Sequence, residues 1–380
     1  MEKSDQRNFT GQPMNIAIVL PYLKAGGTER QASYIANFLK EKGHTVTVIS
    51  IERNNTFQDL FEVPVEYLNS TNRNSYLFKN TNLLANKLSE LRTDVVLSRA
   101  WSVNMVTERS ARKLKIPSVL ILSGSINLSG HSFLKKMIHR RTLDKCSAII
   151  SVSEKAKQNC IKWLKTDSGK ISVIHNGIDI DWVKGKAENA EDLPNEVFGT
   201  KNPKLVFVGR LIHRKGLDLL LEVIHKMKQN GRTVELIVVG DGEEKSAYIN
   251  MAKKFGISSL IHFEGEQKNP FPFMKMADIF VLPSRSEGFP NVLLEAMALG
   301  LPVVAANCES GPDEILNGKN GLLAKPNSGQ SLKKEVEKLL YSNELRIEIA
   351  EKGFKTVKKS FQLNDQLKKI ENTLISASCE

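Results

Sequence analysis

Residues 277–306 read ADIFVLPSRSEGFPNVLLEAMALGLPVVAA. The apolar run Ala277–Leu282 has the length of a buried strand. A Gly-Phe-Pro-Asn turn then starts what the spacing predicts to be a helix, and a Gly-Leu-Pro turn leads into a second apolar run, Pro302–Ala306. Strand, helix and strand in such short order describe a crossover unit of a parallel sheet.

Upstream of this unit the same alternation repeats. Asn15–Leu20, Thr45–Ser50, Asp94–Ser98, Ser118–Leu122, Ala148–Val152 and Ile171–Ile174 read as strands, with a helix over Glu29–Lys42 whose end is marked by Gly43. A polar segment, 186–202, reads as a linker. The pattern then restarts with strands at Lys204–Val208, Glu235–Val239, Ile261–Glu264, Asp278–Leu282 and Pro302–Ala305, and a helix at Leu217–Gln229. A chain of 380 residues suits two cores better than one. The expected fold class is α/β, with two Rossmann-like, doubly wound parallel-sheet domains over 14–185 and 203–360. Residues 1–13 form a polar tail without a signal-peptide pattern.

Composition is that of an ordinary globular protein, 41% hydrophobic and 25% charged. The apolar runs are too short to span a bilayer. Four cysteines and seven histidines show no metal-ligand spacing, so no metal and no cofactor are expected, and the thiols read as reduced in a cytoplasmic protein. Asp179-Ile180-Asp181 reads as a turn and hinge. Charge is lopsided: 27 Lys+Arg face 16 Asp+Glu up to Gly185, against 27 and 26 in the remainder. That asymmetry points to an anionic partner for the first half.

Within the opening stretch, Pro290 suits the first helical position, where its missing N–H is no loss. The N–H groups of Asn291, Val292 and Leu293 then face out of the helix start, a place where an anion binds readily. Glu287 stands in the loop before the helix and Glu295 more than a turn inside it. A phosphate at the helix start with a hydroxyl-rich group on either side is the layout of a nucleotide sugar. Two further loops follow strands. Gly26-Gly27 permits close backbone approach, with Thr28 placed to cap the next helix, and no G-x-G-x-x-G is present. Phe207–Gly216, FVGRLIHRKG, puts Arg210 and Lys215 at a strand end, two cations that could neutralise a diphosphate, with Arg214 as a solvated neighbour. Val239-Gly240-Asp241-Gly242 ends the following strand.

These motifs, in this order, resemble the retaining glycosyltransferases of family 4 (group 1), which have the GT-B fold. The resemblance implies two domains facing a cleft and a final helix, 361–380, crossing back onto the first. It implies a nucleotide-sugar donor, most simply a UDP-sugar, whose diphosphate is held by Arg210 and Lys215. Donor contacts fall on Gly26, Gly27, Gly209, Gly242, Gly288, Phe289, Pro290, Asn291, Val292 and Leu293. Glu287 would hold the hexose and Glu295 the ribose, and backbone around Gly265–Asn269 would line the base. Glu287, Arg210 and Lys215 are the expected catalytic set, without a metal. The chain departs from many members where a histidine follows the strand ending at Leu122: LILSGSINLSGHS stands there, leaving Ser125 and His131 as acceptor candidates.

The helix that begins near Phe133 carries Lys135, Lys136, Arg140 and Arg141. It reads either as a solvated face or as a contact for anionic lipid or a lipid pyrophosphate. The resulting expectation is a hexosyltransferase or N-acetylhexosaminyltransferase of cell-surface polysaccharide assembly. Its acceptor is a glycan or a polyprenyl-pyrophosphate-linked glycan, and it sits in the cytoplasm, peripheral at the inner face of the membrane. No nucleic-acid partner is expected. A sugar-nucleotide epimerase or hydrolase on the same fold, or a non-catalytic nucleotide-sugar-binding protein, are the alternatives.

Overall fold

The computed structural model describes residues 12–23, 26–53, 58–68, 76–122, 133–188 and 200–379. It divides into two compact units, Met1–Asn176 with Asn364–Glu380, and Gly177–Leu363.

In the first unit seven strands run β1 (Asn15–Leu20), β2 (Thr45–Ser50), β3 (Val65–Tyr67), β4 (Val95–Arg99), β5 (Ser118–Leu122), β6 (Ala148–Ser151) and β7 (Ile171–Val173). They form one sheet in the order β3-β2-β1-β4-β5-β6-β7, and every pairing is parallel. The connecting helices are α1 (Gly27–Glu41), α2 (Tyr76–Glu90), α3 (Trp101–Leu114), α4 (Phe133–Lys145) and α5 (Glu154–Leu164). Such strands are covered on both faces, which is why they read as near-continuous apolar runs. Alternate residues split between the faces: Ala17, Val19 and Val96 meet Leu84, Leu88, Val103 and Val106.

Helix α1 buries Ala32, Ile35, Ala36 and Leu39, one stripe at helical spacing. It ends at Gly43, with φ +88°. The N–H of His44 donates to the Leu39 carbonyl at 3.1 Å and that of Gly43 to Lys40 at 2.9 Å, a Schellman closure. At its other end the N-cap is Gly26 and no side chain caps it. Thr28 therefore lies inside the helix rather than capping it.

The second unit opens with α6 (Ile180–Glu188) and continues with β8 (Lys204–Val208), α7 (Leu217–Gln229), β9 (Glu235–Val239), α8 (Lys245–Lys254), β10 (Ile261–Gly265), α9 (Phe271–Lys275) and β11 (Ile279–Leu282). It closes with α10 (Asn291–Ala298), β12 (Val303–Ala306), α11 (Pro312–Ile315), β13 (Leu322–Ala324), α12 (Gly329–Tyr341) and α13 (Asn343–Ser360). The parallel order is β10-β9-β8-β11-β12-β13. The core runs from Leu205, Phe207, Leu236 and Val238 through Leu220, Ile224 and Met227 to Val336 and Leu339.

The last helix, α14 (Leu363–Cys379), is counted with the first unit from Asn364 onward. It buries Leu367, Ile370, Leu374 and Ala377. His44 Nδ1 accepts the N–H of Met14 at 3.2 Å, leaving the ring proton on Nε2, which faces Glu371 at 3.4 Å.

The unit boundary falls at Asn176, earlier than the expected 185, because α6 packs within the second unit. Trp182 meets Phe271 edge-on at 5.6 Å, and the Lys186 carbonyl accepts from Asn269. Asp179 Oδ1 accepts the N–H of Trp182 at 2.9 Å, a helix-capping use of the Asp-x-Asp pair. Most of the expected linker, like most of the expected tail, lies outside the described residues.

Candidate functional site

Each sheet reverses its strand order at one point, between β1 and β4 in the first unit and between β8 and β11 in the second. Ligands of doubly wound sheets bind beyond the carboxyl ends of the strands at such a point. In the second unit the loops leaving β8 and β11 are the ones that carry the expected residues, and they are bonded to each other.

Arg285, unremarked in the sequence, is the fastener. Its Nη1 and Nη2 donate to Asp218 Oδ1 and Oδ2 at 2.8 and 2.5 Å, and Nη1 also donates to the His213 carbonyl at 2.8 Å. Its backbone N–H donates to the Arg214 carbonyl at 2.8 Å. Burial pushes Asp218 up, but the Arg285 hydrogen bonds and charge outweigh it and hold the carboxyl below its usual range. The same pair raises Arg285. Arg214 is exposed, as expected, and is also bonded: its Nη1 donates to the Ser286 carbonyl at 2.7 Å and lies 3.8 Å from Glu287 Oε2.

Glu287 is only 6% exposed. Its Oε1 accepts from Lys215 Nζ at 2.7 Å and from Ser284 Oγ at 2.6 Å. Its carbonyl accepts from Ser310 Oγ at 2.5 Å. Ser284 and Ser310 are fully buried. Both were missed in the sequence, since single serines carry no pattern. Burial, and then the Glu287 charge, push the neighbouring Cys308 thiol up to about 11. Arg210 is exposed, and its side chain has no hydrogen-bond partner among the described residues.

Helix α10 starts one residue later than expected. Pro290 is its N-cap, with extended backbone (ψ 92°), and Asn291 its first residue. The N–H of Leu293 already donates to the Pro290 carbonyl at 3.0 Å, so the helix start offers fewer open donors than the sequence suggested. Glu295 is buried in the second turn, 8% exposed. Phe289 packs its ring on Phe361 at 5.8 Å. Gly288 and Pro290 close over Gly311 (φ +96°), where an added Cβ would stand 2.7 Å from Pro290 Cδ and 3.1 Å from the Gly288 carbonyl.

The glycines after β9 serve the neighbouring loop. A Cβ on Gly240 (φ +137°) would strike the Gly209 carbonyl, and one on Gly242 the Leu211 carbonyl. The Leu211 N–H donates to the Asp241 carbonyl at 2.8 Å and that of Gly209 to Val239 at 3.0 Å. Gly209 itself is less crowded, with Phe207 Cζ at 3.5 Å from an added Cβ.

The first unit's reversal point holds Gly26 and Gly27, the N-cap and first residue of α1, the helix that follows β1. It also holds Arg99, at the end of β4 and 2% exposed, whose Nη2 donates to Asn176 Oδ1 at 3.0 Å. Burial lowers Arg99 to about 10, with the Glu29 charge pulling the other way. Lys135, Lys136, Arg140 and Arg141 lie on α4. Ser125 and His131 fall outside the described residues.

The site thus places a cation–carboxylate pair, Lys215 and Glu287, at the strand-order reversal of the second unit. The family model described as Glycosyltransferase Family 4 matches residues 25–182, and that of Glycosyl transferases group 1 matches residues 188–356. The chain belongs to this glycosyltransferase family. An uncharacterized glycosyltransferase of Haemophilus influenzae is 28% identical over 336 residues, 87% of this chain and 91% of that protein. The amylovoran biosynthesis glycosyltransferase AmsD of Erwinia amylovora is 23% identical over 332 residues, 86% and 90% of the two. The fold matches that of Anabaena HepE, solved in complex with UDP-glucose, with a TM-score of 0.84 at 21% identity over 96% of this chain and 100% of that one. The glycosyltransferase fold is thus GT-B, and the chain is a transferase.

Proposed function

We propose that this glycosyltransferase moves a hexose or N-acetylhexosamine from a UDP-sugar, with retention and without a metal, to a glycan or polyprenyl-pyrophosphate-linked glycan of cell-surface polysaccharide assembly. The observation that carries the reading is the Lys215–Glu287 pair at 2.7 Å, at the strand-order reversal of the second unit. A cation and a hydroxyl-accepting carboxylate side by side suit the junction of a diphosphate and a sugar. The similarity to AmsD and the fold shared with a UDP-glucose-bound protein support the same class of donor and product.

In this reading Arg210 and Lys215 take up the charge that develops on the departing UDP, with the start of α10 behind them. Glu287 orients the hexose and Glu295 grips the ribose, an ionised carboxylate being an acceptor only. The bond from the anomeric carbon to the phosphate oxygen breaks, the acceptor oxygen bonds to that carbon on the same face, and the acceptor proton passes to a diphosphate oxygen. Gly26, Gly27, Gly209, Gly242 and residues 288–293 line the donor, and backbone at 265–269 its base. The enzyme works in the cytoplasm at the inner face of the membrane.

The test is a thermal-shift screen against UDP, GDP, ADP and their common sugars, with Arg210→Ala and Glu295→Ala beside the native protein. A ligand at a hundred times its dissociation constant adds about 2.7 kcal/mol. A UDP-selective shift lost in both variants is expected, and no shift with any nucleotide rejects the reading. UDP released from the donor without a glycosylated product would mark a hydrolase instead.

A further inference from the structure

Of the six large apolar side chains that the described residues leave exposed, three share the first turn and a half of α4: Phe133 (82%), Leu134 (59%) and Met137 (49%). At 100° per residue they lie on the same face as Arg140, Arg141 and Lys145, which follow one to three turns later and are also exposed. The opposite face goes to the core through Thr142 and Leu143. Asp144 is the one acid of the helix, 3.5 Å from Arg140 Nε. Scattered exposed apolar residues are ordinary; a cluster on one face with cations beside it marks a docking surface. The surface continues onto α5, where the Trp163 ring carries Lys136 Nζ at 5.4 Å and Lys162 Nζ at 4.9 Å from its centroid.

We infer that the outward face of α4, together with Trp163 of α5, docks on an anionic lipid bilayer. Phe133, Leu134 and Met137 enter the acyl boundary. Arg140, Arg141, Lys145, Lys136 and Lys162 meet lipid phosphates, their long stems reaching past the apolar contact. An anionic bilayer offers both chemistries in the order in which the helix presents them, and the excess of 27 cationic over 16 anionic side chains up to Gly185, a stretch that holds α4 and α5, draws that part of the chain toward it. The purpose of docking rests on the lipid-carried acceptor of the proposed function; the surface rests on α4 and α5 alone.

The test floats the full chain with vesicles of phosphatidylglycerol and phosphatidylcholine in equal parts, and with phosphatidylcholine alone, at low and high salt. The native protein is expected to float with the anionic vesicles only, and less at high salt. Phe133→Ser/Leu134→Ser/Met137→Ser and Arg140→Gln/Arg141→Gln are each expected to lower partitioning at least about ten-fold, the second also flattening the salt dependence. No flotation of the native protein, equal flotation on the neutral vesicles, or variants that float like the native protein overturns the inference. So does sedimentation showing that the apolar variant loses a dimer while its flotation stays, which gives the face to a second copy. The thermal shift with UDP is read on all three proteins and should be equal. Its absence beside intact flotation sinks the donor reading and leaves the docking surface standing.

Discussion

Lys215 Nζ and Ser284 Oγ both donate to the same oxygen of Glu287, Oε1, at 2.7 and 2.6 Å. The in-plane lone pairs of that oxygen are therefore occupied. Oε2 has Arg214 at 3.8 Å, beyond hydrogen-bond reach; under the proposed function it is the oxygen that would accept a ligand hydroxyl. The two residues expected to serve separate parts of a donor, a cation for phosphate and a carboxylate for sugar, are hydrogen-bonded to each other.

Glu287→Gln should therefore do more than lower affinity. It removes the charge that Lys215 compensates and keeps the shape. Donor turnover is expected to fall at least about a hundred-fold, on the scale of a lost preorganised polar contact. Lys215→Met leaves the buried carboxylate short of its partner and should lower stability by roughly 3 kcal/mol. Urea unfolding of both variants checks this, and a loss under about 0.5 kcal/mol in Lys215→Met would show that Ser284 and Arg214 suffice.

Ser284→Ala removes a fully buried hydroxyl whose bond fixes the rotation of the Glu287 carboxylate. A stability loss of about 1–2 kcal/mol is expected. UDP should shift its melting as it does in the native protein, while the further shift given by a UDP-sugar shrinks. Equal losses for UDP and UDP-sugar would show a general loosening instead.

Asp218→Asn probes the fastener with Arg285. The folded-state pKa of Asp218 is depressed, so its stabilisation is fully present above the ordinary aspartate pKa of about 3.9 and is lost as pH falls through the lower, folded value. The native protein should be the more stable at pH 7 and keep that margin down to about pH 5. The margin should then close as acid protonates the carboxyl. Denaturant midpoints over that range check it, and a margin that persists at the lowest pH would point to packing rather than charge.

Two glycines with positive φ separate strain from crowding. Gly231 (φ +75°) has nothing within 4 Å of an added Cβ, whereas Gly240 (φ +137°) would drive one into the Gly209 carbonyl. Gly231→Ala should cost about 1 kcal/mol, and Gly240→Ala at least about 3. Gly240→Ala should also weaken UDP binding, since the displaced loop carries Arg210. Equal destabilisation of the two would remove the claim that the loops after β8 and β9 are matched at that point.

The runs that became β1, β2, β5, β8 and β9 were legible to the residue because both faces of a parallel strand are buried and their positions are mostly apolar. β3 and β13 escaped. They are three residues long, and Glu66 breaks the apolar run of the first. Arg285 and Asp218 were invisible for another reason: 67 residues separate them, and nothing in either neighbourhood announces the partner. The helical role of Pro290 was misplaced by one residue, which moved the Leu293 N–H from an open donor to a closed one. The placement of α6 turned on Trp182 and Phe271, another pairing at long range. Lys215 and Glu287, singled out on two separate loops, are bonded to each other, whereas the serines that hold Glu287 carry no pattern in the sequence.

The first unit is assembled from two separate stretches of the chain, since α14 is counted with it from Asn364 onward and its Glu371 faces His44. During synthesis its seven strands therefore emerge long before that helix. At ribosomal speeds of roughly 5–20 residues per second, the intervening second unit imposes a wait of about ten to forty seconds. Through that interval the earliest-made part of the protein lacks the helix that belongs to its unit. Chain termination shortly before α14 would make that absence permanent, even with every residue of the candidate donor site already in place.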